Sequence, residues 1–464
     1  MKRIKKISVT NLFGRFNYQI PLNMENRITI IHGPNGFGKT AILRLLNALF
    51  CQNSSVLRKI PFDEFRIDFD DDTAFWVTKS YHAPTEEAEA EKESSALQKI
   101  IFHINDRSVE KHPFAWPLKI PFPRNRPAFI RELQISLPLE REGLEIWRYL
   151  PTGEILSMED IVERFGDRLP AEELLEGQPD RLKDIRSSIS VRLIEAQRLL
   201  NPIEFSKRRE YERQPGMMPT VTVYSKELAA TIEKKIAESA TLNQTLDRTF
   251  PARAFGPTVA QSNITENELR SKLAELEKKR SRLMTAGLID QDNSDAFQMG
   301  DQIDDSKKIM LSVYIEDTDK KLGVFDEMAD KIDLLTRIIN KRFLYKVMTI
   351  RREQGFVFIT DEDDTLSATD LSSGEQQELV LFYELLFKPT PGSLILIDEP
   401  ELSLHVVWQE QFLKDVQEIT SLNDLDVLIA THSPDIIHDQ RDLVVELEGP
   451  SNGRVQRVRK QRTA

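Results

Sequence analysis

Two carboxylates in succession, Asp398 and Glu399, close the apolar run Leu394-Ile395-Leu396-Ile397. Far upstream, His32-Gly33-Pro34-Asn35-Gly36-Phe37-Gly38-Lys39-Thr40 fits the phosphate-loop pattern G-x-x-x-x-G-K-[ST]. The glycines of such a loop let the backbone close around phosphate oxygens, so Gly33, Asn35, Gly36, Phe37 and Gly38 are candidate phosphate cradle residues. Lys39 is expected to reach the β- and γ-phosphates of ATP, and the Thr40 hydroxyl to ligate Mg²⁺. After such a loop, Asp398 is expected to hold Mg²⁺ and Glu399 to take the proton of an attacking water. Gln197, in Ala196-Gln197-Arg198, is a third candidate. A glutamine at a strand end can ligate Mg²⁺ through its carbonyl, or it can simply join a surface network with Arg198.

Each of these groups needs an element to aim it. Arg27 to Ile31 reads as a buried strand before the loop, and Ile42, Leu45, Leu46 and Leu49 recur at the spacing of one helix face after it. Ile4 to Asn11 and Tyr18 to Leu22 read as strands expected to flank the phosphate-loop strand. In the turn between them, Phe13, Arg15 and Phe16 can stack on an adenine or merely pack the turn. Residues 54–138 read as strand-rich, with candidates at Phe65 to Phe69, Ala74 to Thr78 and Gln98 to Ile104. Asp70-Asp71-Asp72 reads as a solvated hairpin tip. Short helices are expected around Met158 to Phe165 and Ala171 to Leu175, and a strand from Ser190 toward Gln197.

Residues 225–343 read as helical. Leu228, Ile232, Ile236, Leu242 and Leu246 mark one helix and Leu269, Leu273, Leu276 and Leu283 another, with Pro251, Gly256 and Pro257 in the connection. The expectation is a short antiparallel hairpin, followed by a third stretch from about Ser306 to Arg342. Tyr345 to Thr360 reads as a β-hairpin and Leu379 to Phe387 as a buried helix.

Three further segments acquire meaning by resemblance. Leu371-Ser372-Ser373-Gly374-Glu375-Gln376-Gln377 resembles the signature motif of ABC-type ATPases, L-S-G-G-[QE], with Ser373 in place of the first glycine. Leu402-Ser403-Leu404-His405 falls where that family carries its D-loop. Val427 to Pro434 is a strand ending in His432, which resembles the family's switch histidine, the sensor of the γ-phosphate. The resemblance implies that Ser372, Ser373 and Gly374 bind a nucleotide held by the phosphate loop of another copy, so that the chain is a homo-oligomer.

Transporter ATPases bring their signature much sooner after the phosphate loop, whereas here the whole span from Lys39 to Ser372 intervenes. That spacing resembles the SMC, RecF and OLD-type branch. The expected fold is therefore α/β, an ABC-type P-loop ATPase head split by a β-rich segment and a helical, short coiled-coil insertion. The expected domains are an N-terminal lobe at 1–200, the insertion at 201–344 and a C-terminal lobe at 345–464. The insertion reads as too short for an SMC arm, and no C-terminal Toprim nuclease is expected after His432. Such a stand-alone head is similar to the ATPase subunits of anti-phage systems, those of the PARIS (AriA) kind first and the Septu kind next. It implies a sensor ATPase controlling a separately encoded Toprim-type nuclease and responding to a phage-encoded trigger. A RecF-like DNA-clamping ATPase is the alternative.

Composition bounds the partners. The net charge of −12 over 464 residues argues against a mainly electrostatic nucleic-acid binder, although Lys278-Lys279-Arg280 and the basic residues from Arg454 to Arg462 keep nucleic acid open. Cys51 is the single cysteine, so neither an intrachain disulfide nor a multi-cysteine zinc site can form. No apolar run of signal-peptide length follows Lys2, Arg3, Lys5 and Lys6, and none is long enough to span a membrane. The expectation is a cytoplasmic protein with no membrane partner.

Overall fold

The computed structural model describes residues 2–51, 54–80, 99–105, 114–117, 139–143, 146–149, 154–157, 161, 179–195, 200–202, 217–255, 265–290 and 305–449. In chain order, the elements that matter begin with β1 (Ile4–Leu12), β2 (Phe16–Pro21), β3 (Ile28–His32) and α1 (Lys39–Phe50). The strands β4 (Glu64–Phe69), β5 (Ala74–Ser80), β6 (Lys99–Asn105), β7 (Phe114–Pro117) and β8 (Val191–Ile194) follow. Then come the helices α2 (Thr220–Phe255), α3 (Glu266–Thr285), α4 (Asp305–Gly323) and α5 (Asp326–Arg342). The C-terminal part holds β9 (Lys346–Arg351), β10 (Gly355–Thr360), β11 (Thr365–Ser367), α6 (Ser373–Phe387), β12 (Leu394–Asp398), α7 (Val406–Asn423), β13 (Asp426–Thr431) and β14 (Val444–Glu446). The chain is a mixed α/β structure that divides into two compact units, residues 1–196 with 389–464, and residues 197–388.

The first unit is built on a five-stranded sheet in the order β8-β12-β13-β3-β14, with every neighbouring pair parallel. Parallel strands are covered on both faces, which is why β12 reads Leu-Ile-Leu-Ile-Asp and is buried along its whole length. The register pairs Asp398 with Ala430 and Thr431 with His32, so β12, β13 and β3 end side by side. Ligand sites of such sheets form at these carboxyl ends. On α1 only Thr40, Arg44 and Asn47 escape burial. The expected stripe of Ile42, Leu45, Leu46 and Leu49 is fully buried and joins a core shared with Leu396, Leu428, Phe65 and Phe75.

The strands β1 and β2 do not flank β3 as expected. They pair with each other and belong to a second, antiparallel sheet ordered β2-β1-β4-β5-β6-β7. Alternation explains the difference: in β4, Phe65, Ile67 and Phe69 point inward while Glu64, Arg66 and Asp68 stay partly solvated, a pattern suited to a one-faced antiparallel sheet. Asp70 to Asp72 form the turn between β4 and β5, where Asp71 pairs with Lys2 at 2.8 Å. Of the short helices expected near 158–175, only Ile161 lies among the described residues; a helix at Asp180–Ser187 was not anticipated.

In the second unit α2 is longer than expected and runs through Pro251 to Phe255. A proline inside a helix removes a backbone bond. Beyond the proline, Arg253 donates to the Leu246 carbonyl at 3.0 Å and to Asp317 of α4 at 2.7 Å, which ties the last turn to α4. The expected hairpin of two helices is replaced by α2 and α3 each packing on α4, and the third stretch is broken into α4 and α5. Most basic residues around the run on α3 meet carboxylates: Lys279 reaches Asp319 and Asp326, Arg280 reaches Glu277, and Arg282 reaches Asp330 and Asp333. The basic residues after Arg454 lie outside the described residues. The β-hairpin is where it was expected, as β9 and β10, with β11 added beside β10. Ser225 of α2 donates to the Gln354 carbonyl at 2.6 Å and accepts from the Phe356 amide at 2.9 Å. Gly355 permits this approach, because a Cβ there would stand 2.2 Å from the Ser225 carbonyl oxygen. Arg342 and Glu378 form a fully buried ion pair between α5 and α6. Residues 345–388 thus pack with the helices, and the units divide at 388/389, whereas the expected C-terminal lobe began at 345. Among the described residues no helix is long and apolar enough to cross a membrane.

Candidate functional site

The phosphate loop leaves β3 at His32 and re-enters regular structure at Lys39. Gly36 and Gly38 have φ of 87° and 88°, the left-handed region that costs a side-chain-bearing residue about 1–2 kcal/mol. At Gly38 space is closed as well, since a Cβ would lie 2.7 Å from Leu12 Cδ2. No side chain caps α1, so the first-turn N–H groups and the positive end of its dipole are left for an anion. The Lys39 side chain is 4% exposed; its Nζ donates to the Gly33 carbonyl at 2.8 Å and stands 3.5 Å from Glu399 Oε1. The Phe37 ring packs on Phe16 with centroids 5.5 Å apart, and its carbonyl accepts from the Tyr18 hydroxyl at 3.0 Å. Burial pushes the Tyr18 hydroxyl up to about 12, so this anchor stays protonated. Phe16 is therefore core and unavailable to stack on a base, while Phe13 and Arg15 are exposed.

Asp398 ends β12 against the start of α1, where Thr40 Oγ1 donates to Asp398 Oδ1 at 2.9 Å. Burial raises the Asp398 carboxyl above its ordinary range; the Thr40 hydrogen bond opposes this and the Glu399 charge adds to it. A hydroxyl and a carboxylate side by side form an all-oxygen pair suited to Mg²⁺, and a cation would relieve the buried carboxylate. Gln197, the third candidate ligand, lies outside the described residues.

Glu399 follows with φ 47° and ψ 58°, a left-handed conformation for a residue with a side chain. Strain of this kind persists only where the surroundings enforce it. Here the Glu399 amide donates to the Ala430 carbonyl at 2.8 Å. The resulting turn lets one carboxylate face both Lys39 and His432, with its Oε2 hydrogen-bonded to His432 Nδ1. A carboxylate between a cation and an imidazole can accept a proton from water and share it with the ring.

Glu401 was not singled out from the sequence. Its Oε1 accepts from Thr431 Oγ1 at 2.6 Å, from the His432 amide at 2.9 Å and from the Ser433 amide at 3.2 Å, and lies 3.0 Å from His432 Nδ1. Behind it, Ser433 Oγ donates to Gln409 Oε1 at 2.7 Å, and Gln409 Nε2 donates to the Leu404 carbonyl at 3.2 Å. The stretch between the carboxylate pair and α7 thus fixes the loop that carries His432. An acid next to a proline in a turn reads as solvated; the donor-rich Thr431-His432-Ser433 was the only hint that it had an internal partner.

In the second unit Ser372 caps α6. Its Oγ accepts from the Glu375 amide at 3.4 Å, and its own amide donates to Glu375 Oε2 at 3.0 Å. Burial would raise the Glu375 carboxyl, but bonds from Lys346 and Ser372 outweigh it and hold the group below its ordinary range. Ser372, Ser373 and Gly374 are exposed, and a Cβ on Gly374 would meet nothing within 4 Å among the described residues. The start of α6 is open to a ligand.

Residues 258–438 match a protein family described as "AAA domain, putative AbiEii toxin, Type IV TA system". Two curated proteins are similar over shorter stretches. UvrABC system protein A of Borreliella burgdorferi is 38% identical over 87 residues, 19% of this chain and 9% of that protein. UvrABC system protein A of Aquifex aeolicus is 31% identical over 133 residues, 28% of this chain and 14% of that protein. The chain therefore spans only a small part of the length of these relatives. Among solved structures, the SMC head domain from Thermotoga maritima aligns with a TM-score of 0.31 and 11% identity over 94% of this chain and 91% of that one. The Smc head of Pyrococcus furiosus bound to the C-terminal domain of ScpA aligns with a TM-score of 0.31 and 13% identity over 97% and 95%. The family matched over residues 258–438 is described as an AAA domain, in keeping with the phosphate loop at the end of β3.

Proposed function

We propose that the chain binds and hydrolyses ATP and acts as the cytoplasmic sensor ATPase of an anti-phage defence system, of the kind formed by the AriA subunits. In this reading it controls a separately encoded Toprim-type nuclease and answers a phage-encoded trigger. The observation that carries the ATPase reading is the 2.9 Å contact of Thr40 with Asp398, which joins the phosphate loop to the carboxyl end of β12. The defence reading is supported by the toxin–antitoxin description of the family matched over residues 258–438.

Lys39, now turned onto a backbone carbonyl and Glu399, would exchange these partners for β- and γ-phosphate oxygens. Thr40 and Asp398 would hold Mg²⁺, which when bound offsets phosphate charge. Glu399 accepts the proton of the attacking water, and His432, held by Glu399 and Glu401, orients it and contacts the γ-phosphate. The exposed Ser372, Ser373 and Gly374 supply donors to a nucleotide on a second copy, so the working unit is a homo-oligomer with ATP between chains. The similarity to UvrABC system proteins favours a second reading, an ATPase that clamps DNA. The carboxylate partners along α3 count against a nucleic-acid surface there.

Phage challenge of bacteria carrying the chain with its neighbouring genes tests both levels. Protection that disappears with Lys39→Ala is expected. Protection that persists in that variant would overturn the ATP dependence, and an intact gene set that gives no protection would overturn the defence role.

A further inference from the structure

We infer that Glu399, Glu401 and His432 form a binding site for a zinc-class divalent cation, distinct from the oxygen pair of Thr40 and Asp398. One ligand atom from each of the three residues lies within 4.8 Å of the others. His432 Nδ1 lies against Glu399 Oε2 and 3.0 Å from Glu401 Oε1, so the imidazole and both carboxylates converge. Glu401 is itself an incompletely satisfied buried acid. Its side chain is only 6% exposed, and while Oε1 serves Thr431, His432 and Ser433, Oε2 has no hydrogen-bond partner among the described residues. A buried carboxylate oxygen without a partner is costly, and a cation is the kind of group that satisfies it.

The donor set selects the ion. Imidazole with two carboxylates suits zinc and its transition-metal neighbours, whereas Mg²⁺ prefers oxygen ligands alone. Entry is open from the side of His432, whose side chain is 41% exposed, and the remaining coordination position falls to water. A cation held here occupies the Glu399 carboxylate and the His432 ring, and so halts ATP hydrolysis. That consequence, unlike the binding, rests on the role proposed above for Glu399.

Calorimetric titration of the nucleotide-free full chain with zinc chloride, in the absence of Mg²⁺, tests the site. One zinc per chain is expected, with affinity reduced at least ~10-fold in both His432→Ala and Glu401→Gln. Lys39→Ala, defective toward ATP, is expected to keep its zinc. Melting curves of the metal-free variants establish that each is folded; His432→Ala alters an accessible side chain and is the decisive one. Undiminished zinc binding in His432→Ala, or its loss in His405→Ala or His438→Ala instead, would overturn the assignment, as would no binding by the unaltered chain. Turnover that continues with zinc bound would leave the site standing and remove Glu399 from the hydrolytic step.

Discussion

Replacing Glu399 by glutamine changes one atom type and leaves the shape of the turn intact. The amide oxygen still faces the His432 ring, and the left-handed backbone at φ 47° is retained. What disappears is a base and a negative charge. Loss of a positioned general base costs about 10²- to 10⁴-fold in rate, which is about 3–5 kcal/mol of barrier at 1.36 kcal/mol per tenfold. The charge acts in the other direction on binding. Glu399 Oε1 is 3.5 Å from Lys39 Nζ, so the two compete with any phosphate that approaches. At an effective dielectric of 20 such a pair attracts by about 5 kcal/mol before solvation is counted. Freeing Lys39 of that partner should leave ATP affinity equal to the wild type or tighter. Single-turnover phosphate release measures the first effect, and calorimetry with Mg-ATP the second. Phosphate release within tenfold of the wild type would refute the base assignment, and lost ATP affinity would show that Glu399 serves the loop instead. Because His432 contacts the same carboxylate, Glu399→Gln with His432→Ala should cost less than the sum of the two single losses.

Lys39→Ala is expected to weaken ATP binding severely, since the loop loses its fixed cation; unchanged affinity by calorimetry would contradict this. Asp398→Asn should raise the melting temperature of the nucleotide-free protein while abolishing Mg²⁺-dependent turnover, because the elevated native carboxyl makes the charged form a burden at neutral pH. The sign follows from linkage: as pH falls through the raised native value toward the ordinary one, the folded wild type takes up the proton first and gains stability, so the advantage of the variant should shrink on acidification. Gly38→Ala should impair ATP binding and lower stability by at least the ~1–2 kcal/mol of the left-handed backbone, with displacement of Leu12 in addition, as read by thermal melting. Mixing Lys39→Ala with Ser372→Arg chains should restore part of the ATPase activity, since one shared site keeps both an intact loop and an intact α6 start; failure in a mixture shown to form hetero-oligomers would argue for a site within one chain.

The elements legible in the sequence are those whose information is local. The glycine positions of the phosphate loop, the one-faced period of α1 and the uninterrupted apolar runs of β12 and β13 each follow from backbone sterics or side-chain period within a few residues. Partnership between distant segments is not local, and there the tertiary structure decided. The β1–β2 hairpin joined β4 rather than β3, because strand period sets which face is buried but not which edge is paired. Helix α2 runs on past Pro251, and its last turn is tied by Arg253 to Asp317, a residue far along the chain. Glu401 became the anchor of the His432 loop only when the parallel register of β12 with β13 brought their ends together, and no spacing along the chain encodes that meeting. A short-range pattern can specify what an element is; which distant groups converge depends on the packing of all the elements at once.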